Sequence, residues 1–252
     1  TLRVAPMPAD VNATAPTQHV PLAQRLWLPL WLLTVLLIPA SLYAIFVHAP
    51  VEARMGIAQK IFYFHVPAAY AMYVGFAAAA VGSIGYLVRR SPTFDALGVA
   101  GAEVGMLFAA MVLTSGPLWA RKAWGVYWTW DPRLTTVMLA AMIFSAYLAL
   151  RSFGEAGDAE KRFAAGLSLL ALPLLPIIHF SVQRWRGVHP TVITGRGAGL
   201  HPAMQPALVL GFVLFTALVA LLILTRARLE RLREELRDLH VEAARLGLTE
   251  DD

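Results

Sequence analysis

Ten residues in the middle of the chain have the composition of a ligand platform. Residues 124–133 read Trp-Gly-Val-Tyr-Trp-Thr-Trp-Asp-Pro-Arg, and Trp119 lies five residues upstream. A packed core rarely needs several tryptophans in a segment that is bounded by glycine and proline. Aromatic faces and edges pack over large areas, so this composition suits a flat, polycyclic, apolar ligand. Residues 119–134, the tryptophan-rich segment, are therefore predicted to hold the functional site.

Two histidines could complete such a site. His65 lies in the run Phe-Tyr-Phe-His-Val-Pro, and His189 lies in the run Arg-Trp-Arg-Gly-Val-His-Pro. Imidazoles that approach from opposite sides could occupy both axial positions of a haem iron. A haem also carries anionic propionates, which basic side chains could pair with. The basic residues near these runs are Arg121, Lys122, Arg133, Arg184 and Arg186.

The elements that must position these residues are membrane helices. Of the 252 residues, 58% are hydrophobic and 15% charged, and the mean hydropathy is +0.60. The charges separate apolar runs of ~20 residues, which are long enough to cross a hydrocarbon core of ~30 Å as helices. β-barrel strands would be shorter and alternating. We predict an all-α integral membrane protein with six transmembrane helices. The predicted spans are Leu26–Val47, Ile61–Val88, Leu97–Leu118, Thr135–Leu150, Phe163–Val182 and Pro206–Leu224.

Composition also excludes several classes of chemistry. The chain has no cysteine, which excludes disulfides, thiolate ligands and thiol redox chemistry. The first apolar run is longer than a signal-peptide core and lacks a small-residue cleavage site, so we expect it to be retained as the first span. The formal net charge of +5 indicates contact with the lipid bilayer rather than with nucleic acid, because no basic face matches a phosphate backbone.

The loop charges predict an orientation. An even number of spans places both termini on one side of the membrane. That side carries 13 Lys and Arg residues against 8 on the other, but 7 against 8 without the C-terminal tail. The positive-inside rule therefore favours, by a small margin, cytoplasmic termini and a tryptophan-rich segment on the outer face.

Three regions differ in composition. Residues 1–24 are rich in Pro, Ala and Thr and are predicted to be a flexible N-terminus. Residues 25–225 form the six-span membrane domain, and residues 226–252 form a charged, amphipathic helical tail on the cytoplasmic side. The tail is either a solvated helix that lies on the membrane or on the protein's own loops, or a docking helix for a cytoplasmic partner. Its apolar positions, spaced alternately three and four residues apart, are Leu229, Leu232, Leu236, Leu239, Ala243 and Leu246.

Three further residues have alternative roles. Asp131 either caps the helix that begins near Leu134 or contacts the ligand. Glu103, an ionisable group inside the third span, either hydrogen-bonds to another helix or serves a partner contact or a polar path. His179 fits a structural or supporting role near the site better than a role as a ligand.

Three ordered motifs resemble those of one family. The sequence from residue 124 to residue 135, which ends in Trp-Asp-Pro-Arg-Leu-Thr, resembles the signature of the tryptophan-rich haem-handling proteins of cytochrome c biogenesis. Phe-His-Val-Pro-Ala-Ala at residues 64–69 and Leu-Pro-Ile-Ile-His-Phe-Ser-Val at residues 175–182 match in the same order. The length and the Arg-Leu-Thr triplet are similar to the small six-span branch, cytochrome c maturation protein C. The resemblance covers roughly residues 25–225.

The resemblance implies a protein that binds non-covalent haem b at the outer face of the cytoplasmic (inner) membrane of a bacterium. It implies that His65 and His189 are the two axial ligands of the haem iron, with His201 as an alternative to His189. The other implied haem-binding residues are Trp119, Trp124, Tyr127, Trp128, Trp130 and Asp131, and Arg133 is predicted to bind a propionate beside them.

The resemblance also implies partners. The family presents haem to a membrane-anchored haem chaperone for cytochrome c maturation, beside ATP-binding-cassette transporter subunits and a small single-span subunit. The chain has no Walker A pattern, so we expect a haem-transfer protein rather than an enzyme. The alternative is a transporter subunit that carries haem or another solute across the bilayer, but the spans offer little of a polar path beyond Glu103. A membrane enzyme that forms the thioether link is the least favoured alternative.

Overall fold

The described part of the chain is folded into seven α-helices. The computed structural model describes residues 22–153, 157–185, 189, 193–194, 197–198 and 200–247. Residues 1–21 of the predicted flexible terminus, and Arg186, lie outside these ranges. The helices are α1 (Leu22–Tyr43), α2 (Phe62–Arg89), α3 (Pro92–Trp124), α4 (Pro132–Phe153), α5 (Asp158–Ala171), α6 (Leu174–Trp185) and α7 (Gln205–Arg245). The shorter elements are a π-helical turn (Ala44–His48), two 3-10 helices (Ile57–Ile61 and Pro202–Met204) and the antiparallel strands β1 (Ile193–Thr194) and β2 (Gly197–Ala198).

Six segments of the described chain are long and apolar enough to cross a membrane, which confirms the prediction of a six-span, all-α membrane protein. The fifth span, Asp158–Ser181, comprises α5 and most of α6. The helix is interrupted between them at Leu172 and Pro173, because proline has no N–H to donate. The third span is longer than predicted, since α3 has 33 residues and ends at Trp124.

Glycines bring α2 and α3 into close contact. A Cβ added at Gly75 would lie 2.5 Å from the Cα of Gly105, and one added at Gly82 would lie 2.3 Å from the backbone nitrogen of Gly98. Small residues at such positions let two membrane helices approach until their backbones touch. This packing fixes the height of α2 relative to α3 and therefore the position of any side chain that one helix presents to the other.

A buried lysine holds the chain that precedes α2. Lys60 Nζ donates to the carbonyl oxygens of Ile45 at 2.6 Å, Phe46 at 3.2 Å and Ala49 at 3.3 Å. These carbonyls lie where the first span ends and lack helical partners, so an ammonium group satisfies them well. The contact anchors the connection between α1 and α2 at the end of the bundle where α3 ends and α4 begins, which we call the tryptophan end.

Ion pairs join the opposite end of the bundle to the tail. Arg151 at the end of α4 pairs with Asp95 of α3 at 2.8 Å, and Lys161 of α5 pairs with the same carboxylate at 3.3 Å. Arg151 also lies 4.0 Å from Glu230, and Lys161 pairs with Glu234, both on α7. The start of the tail therefore packs on the protein's own helix ends.

No break separates the tail from the last span. α7 is a continuous helix of 41 residues, which is about 60 Å long at ~1.5 Å per residue. It therefore continues in the direction of the sixth span and does not lie flat on the membrane. The exposed leucines of the tail are Leu229, Leu232, Leu236, Leu239 and Leu246.

The intramembrane carboxylate has a partner within the protein. Glu103 of α3 accepts two hydrogen bonds from Arg226 of α7, one of them from Nη2 at 2.5 Å. A bidentate pair of this kind satisfies both charges where water is scarce. Of the two predicted roles for Glu103, the structure shows the contact with another helix.

Candidate functional site

The tryptophan-rich segment belongs partly to a helix. α3 continues past Pro117 and ends at Trp124, where Gly125 adopts a left-handed conformation with φ of +80°. Glycine ends helices in this way because other residues rarely adopt such a φ. Trp119 and Trp124 therefore lie on the last turns of α3, and the irregular part of the segment is shorter than the predicted loop.

Asp131 starts the next helix. Its Oδ1 accepts a hydrogen bond from the Leu134 N–H at 2.8 Å, and its carbonyl oxygen accepts one from the Thr135 N–H at 3.0 Å. Pro132 occupies the first helical position, where its missing N–H has no cost. This is the capping role considered from the sequence, and it holds Arg133 in the first turn of α4.

The two candidate ligands lie next to each other. His65 is in the first turn of α2, and His189 lies between α6 and β1. Their ring centroids are 6.4 Å apart, and the ring planes differ by 40°. Two imidazoles bound on opposite sides of one metal ion, each with a metal–nitrogen distance of ~2.0 Å, have centroids ~6 Å apart. The observed separation fits such a pair.

Two tryptophans support His189 from α3. Trp124 contacts the His189 ring, and Trp119 contacts Trp124, both in T-shaped arrangements with centroid distances of 5.6 Å. Trp119 Nε1 donates to Gln59 Oε1 at 3.4 Å. Edge-to-face contacts of this kind are favourable beyond the apolar area that they bury.

A cavity of about 690 Å³ lies beside the two histidines. Its volume is within the range of ~300–1,000 Å³ that is common for small-molecule sites. Trp119, Trp128 and Arg133 line it together with His65 and His189. Most of the remaining wall is apolar and comes from α2, α3, α4, α6 and α7. The cavity could therefore take a large apolar ligand that also carries a metal ion and an anionic group.

Two residues of the irregular segment point away from the cavity. Trp130 is 74% exposed and Tyr127 is 58% exposed, and neither lines the cavity. Trp130 contacts Trp128 in a T-shaped arrangement with a ring-centroid distance of 5.9 Å. Trp128 thus joins the cavity wall to an exposed aromatic surface formed by Tyr127 and Trp130.

Arg133 places a positive charge in the cavity wall. Its Nε donates to the carbonyl oxygen of Ile178 and its Nη2 to that of His179, both at 3.2 Å. Within the described residues, Arg133 forms no ion pair with a carboxylate. A half-buried guanidinium held by carbonyls alone favours an anionic ligand, because its charge is not neutralised.

Burial keeps His189 neutral. Desolvation is the largest cause of a shift that lowers the pKa of His189 to about 3, and the nearby positive charge of Arg133 and the ring of His65 contribute to the same shift. Its Nδ1 is buried and has no hydrogen-bond partner in the described part of the chain. A neutral imidazole is the form that binds metal ions, so His189 is ready to act as a ligand at neutral pH.

Sequence comparisons identify the family. The family model described as Heme exporter protein C matches residues 11–242 of the chain. The chain belongs to the Heme exporter protein C family. It is 32% identical to Heme exporter protein C of Bradyrhizobium diazoefficiens, over 96% of this chain and 92% of that protein. It is also 31% identical to Heme exporter protein C of Escherichia coli K12, over 69% and 72% of the two chains. A putative cytochrome c biosynthesis ccmC-like mitochondrial protein of Marchantia polymorpha is 31% identical, over 79% and 83%.

The match to the Heme exporter protein C family is wider than the predicted range of roughly residues 25–225. It continues to residue 242 and so includes most of the tail that follows the last span. The tail is thus a part of the family's chain as well as a part of α7.

The other candidate residues of this Heme exporter protein C family member lie at the edge of the cavity or away from it. His179 lines the cavity and contacts Phe180 at a ring distance of 4.9 Å. His201 is exposed, its Nδ1 accepts from the Ala203 N–H at 3.3 Å, and it does not line the cavity. Arg121 donates to the Gly125 carbonyl and lies over the Tyr127 ring. The remaining described candidates, both exposed, are Lys122 and Arg184.

Sequence reasoning missed the α3 residues that contact His65. Ser115 Oγ lies 2.9 Å from His65 Nδ1, and Gly116 lies against the same ring. The only local signal is that a Thr-Ser-Gly-Pro run interrupts an apolar span. Such a run is more often a helix-packing feature than a site, so sequence alone could not assign it to His65.

Proposed function

We propose that this protein binds haem b non-covalently between His65 and His189 and presents it to a second protein for cytochrome c maturation. The observation that carries this proposal is the 6.4 Å separation of the two imidazoles beside a large apolar cavity. Membership in the Heme exporter protein C family and the phrase "cytochrome c biosynthesis" in the names of plant relatives support the same function.

The residues around the cavity fit a haem in three respects. The two imidazoles would ligate the iron, and the apolar wall suits the macrocycle. Arg133 supplies a cation for a propionate. Bound haem would supply the iron that the histidines ligate, and the protein would orient it and exclude water from one side. No acid, base or nucleophile is needed for this function, so we propose a binding and transfer protein rather than an enzyme.

The exposed aromatic surface supports the second part of the proposal, the presentation of haem to another protein. Tyr127 and Trp130 are exposed next to Trp128, whose ring lines the cavity. Exposed apolar surface beside a ligand site is typical of an interaction surface. We propose that a membrane-anchored haem chaperone docks here, where it can reach the edge of the macrocycle.

The proposed setting is the inner membrane of a bacterium, with both termini cytoplasmic and the tryptophan end outside. The proposed assembly contains ATP-binding-cassette transporter subunits and a small single-span subunit. An energy-driven step would belong to those subunits. The alternative function, a carrier of haem or another solute, is less favoured, because the intramembrane carboxylate Glu103 is already paired with Arg226.

The absorption spectrum of detergent-purified protein after addition of hemin tests the proposal. We expect a Soret band in the wild type that is weakened or shifted in His65→Ala and in His189→Ala. His201→Ala is the matched control, because His201 lies at the same end of the bundle but does not line the cavity, and it should resemble the wild type. A His65→Ala/His189→Ala double variant with the wild-type spectrum would contradict the proposed ligands.

A further inference from the structure

His65 is held by a hydrogen bond whose direction can be deduced. His65 Nδ1 and Ser115 Oγ are 2.9 Å apart. The same Oγ lies 2.5 Å from the carbonyl oxygen of Met111, one helical turn earlier on α3. A serine hydroxyl has one proton and two lone pairs. The proton can therefore serve only one of these two contacts.

The shorter contact decides where the proton lies. Two oxygens at 2.5 Å repel each other unless a proton lies between them, and a carbonyl oxygen cannot donate. Ser115 must therefore donate to Met111 and accept from His65. The imidazole then carries its proton on Nδ1, and its Nε2 has a free lone pair.

We propose that Ser115 is a positioning residue that selects the Nδ1–H tautomer of His65 and so makes Nε2 the atom that binds the haem iron. This inference rests on the proposed function in one respect, the role of His65 as a ligand. A hydrogen bond from the far nitrogen of a ligating histidine orients the ring and raises its basicity. Ser115 accepts that bond from a neighbouring helix, where the α2–α3 glycine packing keeps the spacing constant.

Gly116 completes the positioning. A Cβ at Gly116 would lie 3.1 Å from His65 Cε1, which is closer than an ordinary van der Waals contact. Ser115 and Gly116 therefore contribute to the position of the ring in different ways. The serine fixes the ring through Nδ1, and the glycine leaves the space that the ring needs at that position.

The first experiment uses haem-free protein. Histidine labelled with ¹⁵N distinguishes Nδ1–H from Nε2–H imidazole by chemical shift, and the His65 signals are assigned by their loss in His65→Ala. We expect the Nδ1–H tautomer in the wild type and a shift towards Nε2–H in Ser115→Ala. Thr114→Ala is the matched control, because Thr114 makes the same type of bond to Ala110 and Met111 carbonyls but is exposed and does not contact His65. A wild-type Nε2–H tautomer, or equal spectra for Ser115→Ala and the wild type, would overturn the inference.

The second experiment measures hemin affinity and the electron paramagnetic resonance spectrum of the ferric complex. Loss of such a supporting hydrogen bond typically weakens metal binding by ~10–100-fold, so we expect a loss in that range for Ser115→Ala and none for Thr114→Ala. The g-values should also shift, because the ligand becomes a weaker electron donor. Gly116→Ala should weaken binding, whereas Gly166→Ala, where an added Cβ has nothing within 4 Å, should not.

The outcomes separate the inference from the proposed function. If His65→Ala retains hemin, the ligand assignment fails, whereas the tautomer result stands by itself. If His65→Ala loses hemin but Ser115→Ala binds like Thr114→Ala, the positioning role fails and the ligand role stands. If the alanine variant folds poorly, the hemin affinities of Ser115→Thr and Ser115→Val provide a second test. Threonine and valine have nearly the same shape, but only threonine has a hydroxyl group. Equal hemin affinity in these two variants would also overturn the inference.

Discussion

Arg133 Nε donates a hydrogen bond to the Ile178 carbonyl oxygen at 3.2 Å, which joins the first turn of α4 to α6 beside the cavity. The Asp131 cap sets where α4 begins and therefore where Arg133 lies. The guanidinium faces the same cavity as the two histidines. One side chain thus contributes both to helix packing and to the charge of the site.

Arg133→Met should weaken hemin binding by roughly ten- to a hundredfold, since a hydrogen bond to a charged group contributes ~1.5–3 kcal/mol. The measurement is a hemin titration, repeated with hemin whose propionates are methyl esters. The esters have no charge for Arg133 to pair with. If Arg133 acts through a propionate, wild type and variant should bind the ester equally. An equal loss for both ligands would show that Arg133 acts only through the packing of α4 on α6.

Replacement of Trp130 should separate haem transfer from haem binding. Trp130 is exposed and does not line the cavity, so Trp130→Ala should bind hemin like the wild type but deliver it more slowly to a soluble domain of the haem chaperone. Trp128→Ala should impair both steps, because Trp128 lines the cavity. Stopped-flow absorbance of the transfer and equilibrium titration provide the two readouts. Wild-type transfer by Trp130→Ala would argue against docking at this surface.

Asp131→Ala should lower the free energy of unfolding by ~1 kcal/mol, the usual cost of losing a helix N-cap. Asp131→Asn should remain close to the wild type, since an asparagine oxygen can also accept the Leu134 N–H. Thermal unfolding in detergent, followed by circular dichroism, measures both. If Asp131 contacts the ligand through its charge, the asparagine variant should instead retain stability and lose hemin affinity.

The buried ion pairs that join the ends of α3, α4 and α5 to α7 should contribute more to the free energy of unfolding than the ion pairs on the exposed part of the tail. Arg151 and Asp95 are each only 7% exposed at their side chains. Arg151→Met removes one of the two cations that pair with the buried carboxylate of Asp95, the other being Lys161. It should cost ~1.5–3 kcal/mol, the usual contribution of a hydrogen bond to a charged group. Arg245→Met, which removes an exposed pair with Glu242, should cost less than ~1 kcal/mol. Thermal unfolding of both variants in the same detergent is the test, and similar midpoints would contradict the structural role of the buried network.

Gly75→Ala should disturb the site from a distance. An added Cβ would collide with the Gly105 backbone at 2.5 Å, so α2 and α3 must separate and the contact between His65 and Ser115 must lengthen. We expect lower stability together with lower hemin affinity. Gly166→Ala, which has free space around it, should change neither. Reduced stability with unchanged affinity would show that the helices separate without moving His65.

Several features of the fold could be predicted from the sequence. Long apolar runs can only be satisfied in a bilayer as helices, because the backbone groups need partners within the segment. The six spans follow from that requirement. The cap at Asp131 was also one of two predicted roles, because an Asp-Pro pair before an apolar run is a common helix start. The extent of α3 was not predictable, since the predicted span ended at Leu118 whereas the helix continues to Trp124.

The sequence by itself determined which residue types are available for the site: two histidines, a set of tryptophans and several loop cations. Only the tertiary structure decided which of them meet. It brought His65 to His189, directed Arg133 into the cavity, and left Trp130, Tyr127 and His201 outside it. It also supplied Ser115, which local sequence gave no reason to choose. The physical reason is that hydropathy acts within each helix, whereas contacts across the bundle depend on the rotation and height at which helices pack, and these are set by small residues far from the site.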